Sequence, residues 1–200
     1  MNNTNSSKQI LVSILGVAIL IVAVVGISFA AFSYSTTGPT TNTITTGTIT
    51  MSYTEPTNGI NLTDALPISD TAGKALTGTN NVFDFTVATT VKGTATISYA
   101  ITAVKDSASN VADAGVKVYL TDQKDAQILA PTKVSALTKT ASNEASGAPT
   151  GQYILKTGTV TASTTTAYRL RMWVADDYAA PSTSQKYILK VNVYGKANAQ

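Results

Sequence analysis

The feature that most constrains this fold is an alternation of apolar residues with threonine and serine. Between residues 94 and 104, Ile97, Tyr99 and Ile101 occupy every second position. Successive side chains of a β-strand point to opposite faces, so this pattern predicts a strand with one buried and one solvated face. The same period recurs, between turn residues, in 49–53, 82–87, 116–120, 168–174 and 186–194. About seven or eight such strands predict an all-β fold, a jelly-roll-like antiparallel β-sandwich.

Residues 66–76 break this period. Ser69 or Asp70 is suited to cap a short helix that ends near Gly73 or Leu76. Segments 106–115, 138–151 and 179–184 are rich in small and turn-forming residues, which predicts loops. We therefore expect one short helix and several loops around the sheets.

Composition excludes most hydrolytic chemistry. The sequence contains no histidine and no cysteine, so Ser-His-Asp and Cys-His pairs and ordinary zinc sites are absent. Charged residues make up 12% of the chain, and the net charge of +3 is too small to indicate nucleic-acid binding. We expect a protein that is not an enzyme, with no cofactor, no metal, no nucleic-acid partner and no small-molecule substrate.

The N-terminus carries an uncharged apolar run, residues 10–31, that predicts a hydrophobic helix which meets a membrane. Ser28 and Ala30 supply the small residues that a signal peptidase requires, so cleavage is expected after Ala30, or after Ala31. The alternative is an uncleaved anchor, because the run is long enough to span a bilayer. The predicted division is a signal peptide or anchor over 1–30, an extended segment over 31–42 and a β-sandwich domain over 43–200.

The extended segment begins with Ala31, Phe32, Ser33, Tyr34 and Ser35, which alternate large apolar with small residues. Such a strand could be donated to an open sheet edge of a neighbouring subunit, where backbone hydrogen bonds provide affinity. The alternative is that it pairs within its own domain or serves as a linker.

A second candidate surface lies on the strand at 168–174. There Arg169, Arg171 and Trp173 share one face, an arrangement suited to cation–π contact with a partner if the face is exposed. The alternative is that a loop of the same domain covers Trp173.

The acidic residues offer weaker candidates for metal binding. Asp176 and Asp177, together with Asp122 and Asp125, could supply oxygen ligands, but their spacing lacks the regularity of a calcium loop. The expected role is a polar turn at a strand end.

The end of the leader reads Gly26-Ile27-Ser28-Phe29-Ala30-Ala31-Phe32-Ser33. This stretch, with the cysteine-free β-rich remainder, resembles the TasA/camelysin family of exported biofilm-fibre proteins, whose leaders are cut by a dedicated signal peptidase of the SipW type. The resemblance implies jelly-roll subunits that polymerise by donating the N-terminal segment, which gives 31–36 that role here. The peptidase label of camelysin-like members is not transferred, since the sequence has no His-Glu-x-x-His motif.

We therefore expect a secreted or cell-surface structural subunit that forms a homo-oligomeric filament in an extracellular fibre or biofilm matrix. The membrane is expected to be a partner during export or through a retained helix. The alternative function is a membrane-tethered binding or adhesion domain that uses the Arg169, Arg171 and Trp173 face. A type IV pilin is a third hypothesis, but Ser7-Lys8-Gln9 lacks the glycine that usually precedes the apolar run.

Overall fold

The structure is a computed structural model that describes residues 33–36, 42–46, 49–54, 60–63, 65–78, 82–91, 95–179 and 185–198. The predicted cleavage residues Ser28, Ala30 and Ala31, and also Phe32, lie outside these residues. The described part contains helix α1 (Asp70–Lys74) and 3₁₀ turns at Asp113–Gly115 and Val134–Ala136. Its strands are β1 (Ser33–Thr36), β2 (Asn42–Thr46), β3 (Ile49–Thr54), β4 (Asn61–Thr63), β5 (Val82–Val91), β6 (Thr96–Lys105), β7 (Val116–Asp122), β8 (Gln127–Lys133), β9 (Tyr153–Val160), β10 (Thr164–Val174) and β11 (Lys186–Asn198).

The strands form two antiparallel sheets. Sheet A has the order β1-β11-β6-β9, with β4 also paired to β11, and sheet B has the order β2-β3-β5-β10-β7-β8. Their inward residues form one hydrophobic core, which includes Phe85 and Leu170 from sheet B and Ile101 and Val193 from sheet A. The all-β sandwich expected from the alternation is confirmed. Because the sequence has no cysteine, packing in this core stabilises the fold without disulfides.

The inward faces agree with the sequence pattern. Phe83, Phe85 and Val87 of β5 are buried, as predicted. Helix α1 also agrees, since the Ser69 side chain accepts a hydrogen bond from the Ala72 N–H at 3.3 Å and caps the first turn.

Strands β8 and β9 were not predicted, because each contains a residue that interrupts a strand pattern. Pro131 lies in β8, an edge strand of sheet B, where a missing N–H is tolerated. In β9, a Cβ on Gly158 would lie 2.8 Å from the Tyr99 ring, so the glycine makes room for an aromatic ring on the neighbouring strand.

Candidate functional site

The predicted donor segment lies on an edge of sheet A. Ser33, Tyr34 and Ser35 belong to β1, which pairs antiparallel with β11 of the same chain. Ser33 is the Cα partner of Lys196, and Tyr34 is the partner of Gly195. In the described part of the chain, the segment therefore pairs within its own domain, which is one of the two arrangements expected from the sequence.

The strand that receives β1 is held firmly on its other side. β11 pairs with β6 over ten consecutive residue pairs, from Leu189↔Lys105 to Asn198↔Thr96. Tyr187 and Val193 of β11 are fully buried in the core. Only four residue pairs join β1 to β11. A short strand thus lies on a rigid edge.

The same edge of β11 also carries β4, which pairs with Lys186, Tyr187 and Ile188. The other edge of β11 is taken by β6 and, at Lys186 and Ile188, by the segment that follows β6, so β1 and β4 follow one another along the same edge. A Cβ on Gly195 would lie 2.4 Å from the Met51 sulfur of β3, which shows how closely sheet B approaches beneath the β1 ladder. This β11 edge is the candidate functional site.

The expectation that Arg169, Arg171 and Trp173 form an exposed contact face is wrong. Trp173 is 2% exposed and Arg171 is 3% exposed, while Arg169 is half-buried and paired with Asp84 at 2.8 Å. The alternative, coverage of Trp173 by its own domain, is confirmed. The reason is that segment 65–78 folds back over this face.

Segment 65–78 is fixed to sheet B by several contacts. A Cβ on Gly73 would lie 2.3 Å from the Trp173 ring, so the glycine permits the helix to rest on the indole. The Ile68 N–H donates to the Val174 carbonyl at 3.1 Å, and Arg171 Nε donates to the Leu76 carbonyl at 2.9 Å. Trp173 Nε1 is buried with no hydrogen-bond partner among the described residues. The segment closes this face to large partners.

The four acidic candidates act in turns and ion pairs. The Asp122 carboxylate accepts hydrogen bonds from the backbone N–H groups of Lys124 and Ala126, both at 2.8 Å. Arg171 pairs with Asp125 at 2.7 Å and lowers the pKa of that carboxyl. The other two candidates also form ion pairs: Asp176 lies 3.5 Å from Lys117, and Asp177 lies 2.6 Å from Lys133.

The outer face of sheet A is also covered, which the sequence pattern did not predict. Ala100 and Tyr194 are buried against Ala148 of loop 138–151, where a wet face was expected. Gln152 lies at the end of this loop, and its Oε1 accepts from Thr102 Oγ1 at 2.5 Å. Its Nε2 donates to the Tyr194 hydroxyl at 2.9 Å. A neutral hydrogen-bond network therefore joins the loop to the sheet.

A charged cluster at the end of sheet A was missed as well. The Asp113 carboxylate accepts hydrogen bonds from the hydroxyls of Tyr153 and Tyr187 and lies 3.1 Å from Lys105 Nζ. Burial alone would raise the pKa of Asp113, but these three donors outweigh it and hold the pKa below its usual range. Burial and the neighbouring carboxylate raise the pKa of Tyr153 to about 12. The residues lie far apart in sequence, so no spacing motif could have revealed them.

Within the described ranges, no group of three or more acidic, histidine or cysteine side chains is placed to hold a metal ion. Over the same ranges, no helix has the length and apolar character needed to cross a membrane. Models of known protein families gave no match to the chain, and neither did curated protein sequences or solved structures.

Proposed function

We propose that the chain is a structural subunit of an extracellular fibre or biofilm matrix. The N-terminal hydrophobic helix would direct its export, and the exported chain would fold as a jelly-roll-like subunit. It would then assemble by donating β1 to the β11 edge of a neighbour. The observation that carries this proposal is the placement of β1, a four-residue strand at the chain's N-terminal side that lies on the edge of a rigid sheet.

The β1–β11 pairing within one chain and the same pairing between two copies are equivalent. The backbone ladder that β1 makes with its own β11 can be made equally by the β1 of a second copy. Residues 37–41 connect β1 to β2, so the two strands are separated by only five residues. When each copy donates to the next, the contact is heterologous and does not close, which produces a filament.

The tethered-domain hypothesis has less support. Its recognition face was to be formed by Arg169, Arg171 and Trp173, and the last two of these are buried. Retention of residues 10–31 remains the feature that would favour it. Mass mapping of the N-terminus in secreted and membrane fractions distinguishes the two hypotheses, since a start near Ala31 supports the fibre subunit.

Cysteine trapping tests strand donation directly, because the chain has no cysteine of its own. The variant Ser33→Cys/Lys196→Cys places a thiol on each member of a Cα pair of the β1–β11 ladder. On oxidation, strand donation predicts a ladder of covalent multimers on a non-reducing gel. Exclusively intrachain disulfides in filament-containing samples would contradict donation.

The matched control is Ser98→Cys/Lys196→Cys, which retains Lys196→Cys but joins it to β6. Since β6 and β11 share a long ladder within the domain, this variant should give intrachain disulfides alone. Deletion of residues 31–36 should leave monomers by negative-stain microscopy, and filaments in that deletion would overturn the donor role.

A further inference from the structure

Strand β2 forms one edge of sheet B. It is the last strand on its side of the sheet, so its outer edge has no strand partner among the described residues. Its five residues pair in unbroken register with β3, from Asn42↔Tyr53 to Thr46↔Ile49. In an antiparallel ladder, every second residue directs its N–H and C=O groups away from the partner strand. These groups of β2 are a template for a further strand.

The edge strands on the other side of the sandwich, β8 and β9, carry features that oppose strand addition. β8 contains Pro131 and Lys133, and its register with β7 shifts twice. The register of β9 with β6 shifts once, and Lys156 of β9 lies opposite the fully buried Ile101. Prolines, lysines and bulges are the devices by which edge strands avoid pairing with other chains. β2, with the sequence Asn-Thr-Ile-Thr-Thr and an unshifted register, has none of the three.

The absence of charge at this corner of sheet B favours a second copy of the same strand as the occupant. No charged residue occurs between residues 9 and 54, a stretch that includes β2 and β3. The parts of β5 and β10 that continue the sheet beyond β3, residues 86–91 and 164–167, are also uncharged. Two copies can therefore approach through this corner without repulsion between like charges. A charged partner would gain nothing here from electrostatic complementarity.

The length of β2 favours one register for such a pair. When two β2 strands are related by a twofold axis at Ile44, Asn42 lies opposite Thr46 and Thr43 lies opposite Thr45, so all five residues pair. An axis at either threonine next to Ile44 leaves only three residue pairs within the strand. We propose that two copies of the chain pair through β2 in the Ile44-centred register, which joins their B sheets into one continuous antiparallel sheet.

This contact differs from strand donation in its symmetry. A twofold contact is closed at two copies, whereas donation of β1 to β11 does not close. If both contacts form, β2 pairing joins two rows of subunits into a double filament. β2 pairing does not itself rest on the proposed function, because β2 belongs to sheet B and the receiving edge of β11 belongs to sheet A. The ladder is short, so the expected dissociation constant of the pair is on the order of 0.1 mM.

Cysteine trapping in the full chain, in mild detergent, tests the register, because the chain has no cysteine of its own. Thr43→Cys and Thr45→Cys are prepared as two single variants. Directly opposite residues have Cα atoms about 5 Å apart, which a disulfide spans, whereas residues two positions out of register are about 8 Å apart, which it does not. After oxidation at about 0.1 mM protein, an equimolar mixture should give at least about fivefold more covalent dimer than either variant alone.

The matched control is an equimolar mixture of Gln127→Cys and Lys133→Cys. These residues would lie opposite each other in the equivalent twofold pairing of two β8 strands about Ala130. The control mixture should give no more dimer than its single variants. Equal dimer yields in the β2 mixture and its single variants would overturn the proposal, and so would the same excess of dimer in the β8 mixture.

The double variant Thr43→Cys/Thr45→Cys tests the symmetry on a non-reducing denaturing gel. A twofold contact predicts covalent dimers and nothing larger, since both thiols of each copy are used within one pair. A ladder of larger multimers would overturn the twofold pairing. β2 dimers without trapped β1–β11 multimers would contradict strand donation alone, whereas trapped β1–β11 multimers without β2 dimers would contradict β2 pairing alone.

Discussion

The outer faces of the two sheets are covered in chemically different ways. On sheet B, segment 65–78 rests on an indole ring and is joined to the strands partly through charged groups, as in the 2.7 Å pair of Lys117 with Asp70. On sheet A, loop 138–151 is joined through the neutral amide of Gln152. The stability of the contact between segment 65–78 and sheet B should therefore depend on steric fit and on ionic strength. The contact between loop 138–151 and sheet A should depend on a few buried hydrogen bonds.

The largest expected effect on stability comes from displacing segment 65–78 from sheet B. Gly73→Val would force a side chain into the Trp173 ring, so we expect the free energy of unfolding to fall by about 3 kcal/mol. The fluorescence of Trp173, the only tryptophan in the sequence, should shift to the red as the indole meets water. Urea denaturation followed by fluorescence measures both.

The control for this experiment is Ala72→Val, at an exposed position of the same helix. It should cost a few tenths of a kcal/mol, the usual difference in helix propensity. Equal stability of Gly73→Val and the parent protein would show that segment 65–78 does not rest on Trp173 in solution.

On sheet A, the corresponding change is Gln152→Leu. It leaves the buried Thr102 hydroxyl and the Tyr194 hydroxyl without their amide partner, so we expect a loss of about 2 kcal/mol in the free energy of unfolding. Gln127→Leu, at an exposed position of β8, is the control and should change stability little. A loss in both variants would argue against a specific role for the network.

Sheet A also has a charged cluster at one end, around Asp113, and its contribution to stability should depend on pH. The folded-state pKa of Asp113 is lowered, so its contribution to stability is present above the unfolded pKa and is lost as pH falls through the folded value. We expect Asp113→Asn to reduce the acid dependence of the unfolding free energy. The dependence should not vanish, since ion pairs with Lys190, Arg171 and Lys133 also lower the pKa values of Asp106, Asp125 and Asp177. An unchanged pH profile in Asp113→Asn would contradict this account.

The smallest expected effect concerns the ion pairs of sheet B. Lys117→Gln should cost about 0.5 kcal/mol at low ionic strength, because the pair with Asp70 is partly solvated. Raising the salt concentration to about 1 M should remove most of this difference, whereas the cost of Gln152→Leu should stay the same. If the losses in unfolding free energy of both variants changed with salt to the same extent, the proposed difference between segment 65–78 and loop 138–151 would be wrong.

The sequence by itself determined the all-β class, the inward residues of several strands and the short capped helix. Each of these depends on local pattern: Phe83, Phe85 and Val87 follow the strand period, and Ser69 is a favourable cap next to its helix. Such signals are carried by neighbouring residues, so they can be read without knowledge of the tertiary structure.

The tertiary structure alone decided which outer faces are covered and which strands lie at the sheet edges. Arg171, Trp173, Ala100 and Tyr194 lie at alternate positions that predict solvent exposure, but distant segments cover them. The β11 edge and the Asp113 cluster likewise join residues that are far apart along the chain. Long-range packing determines these features because the period of a strand defines its two faces but not what will cover the second one.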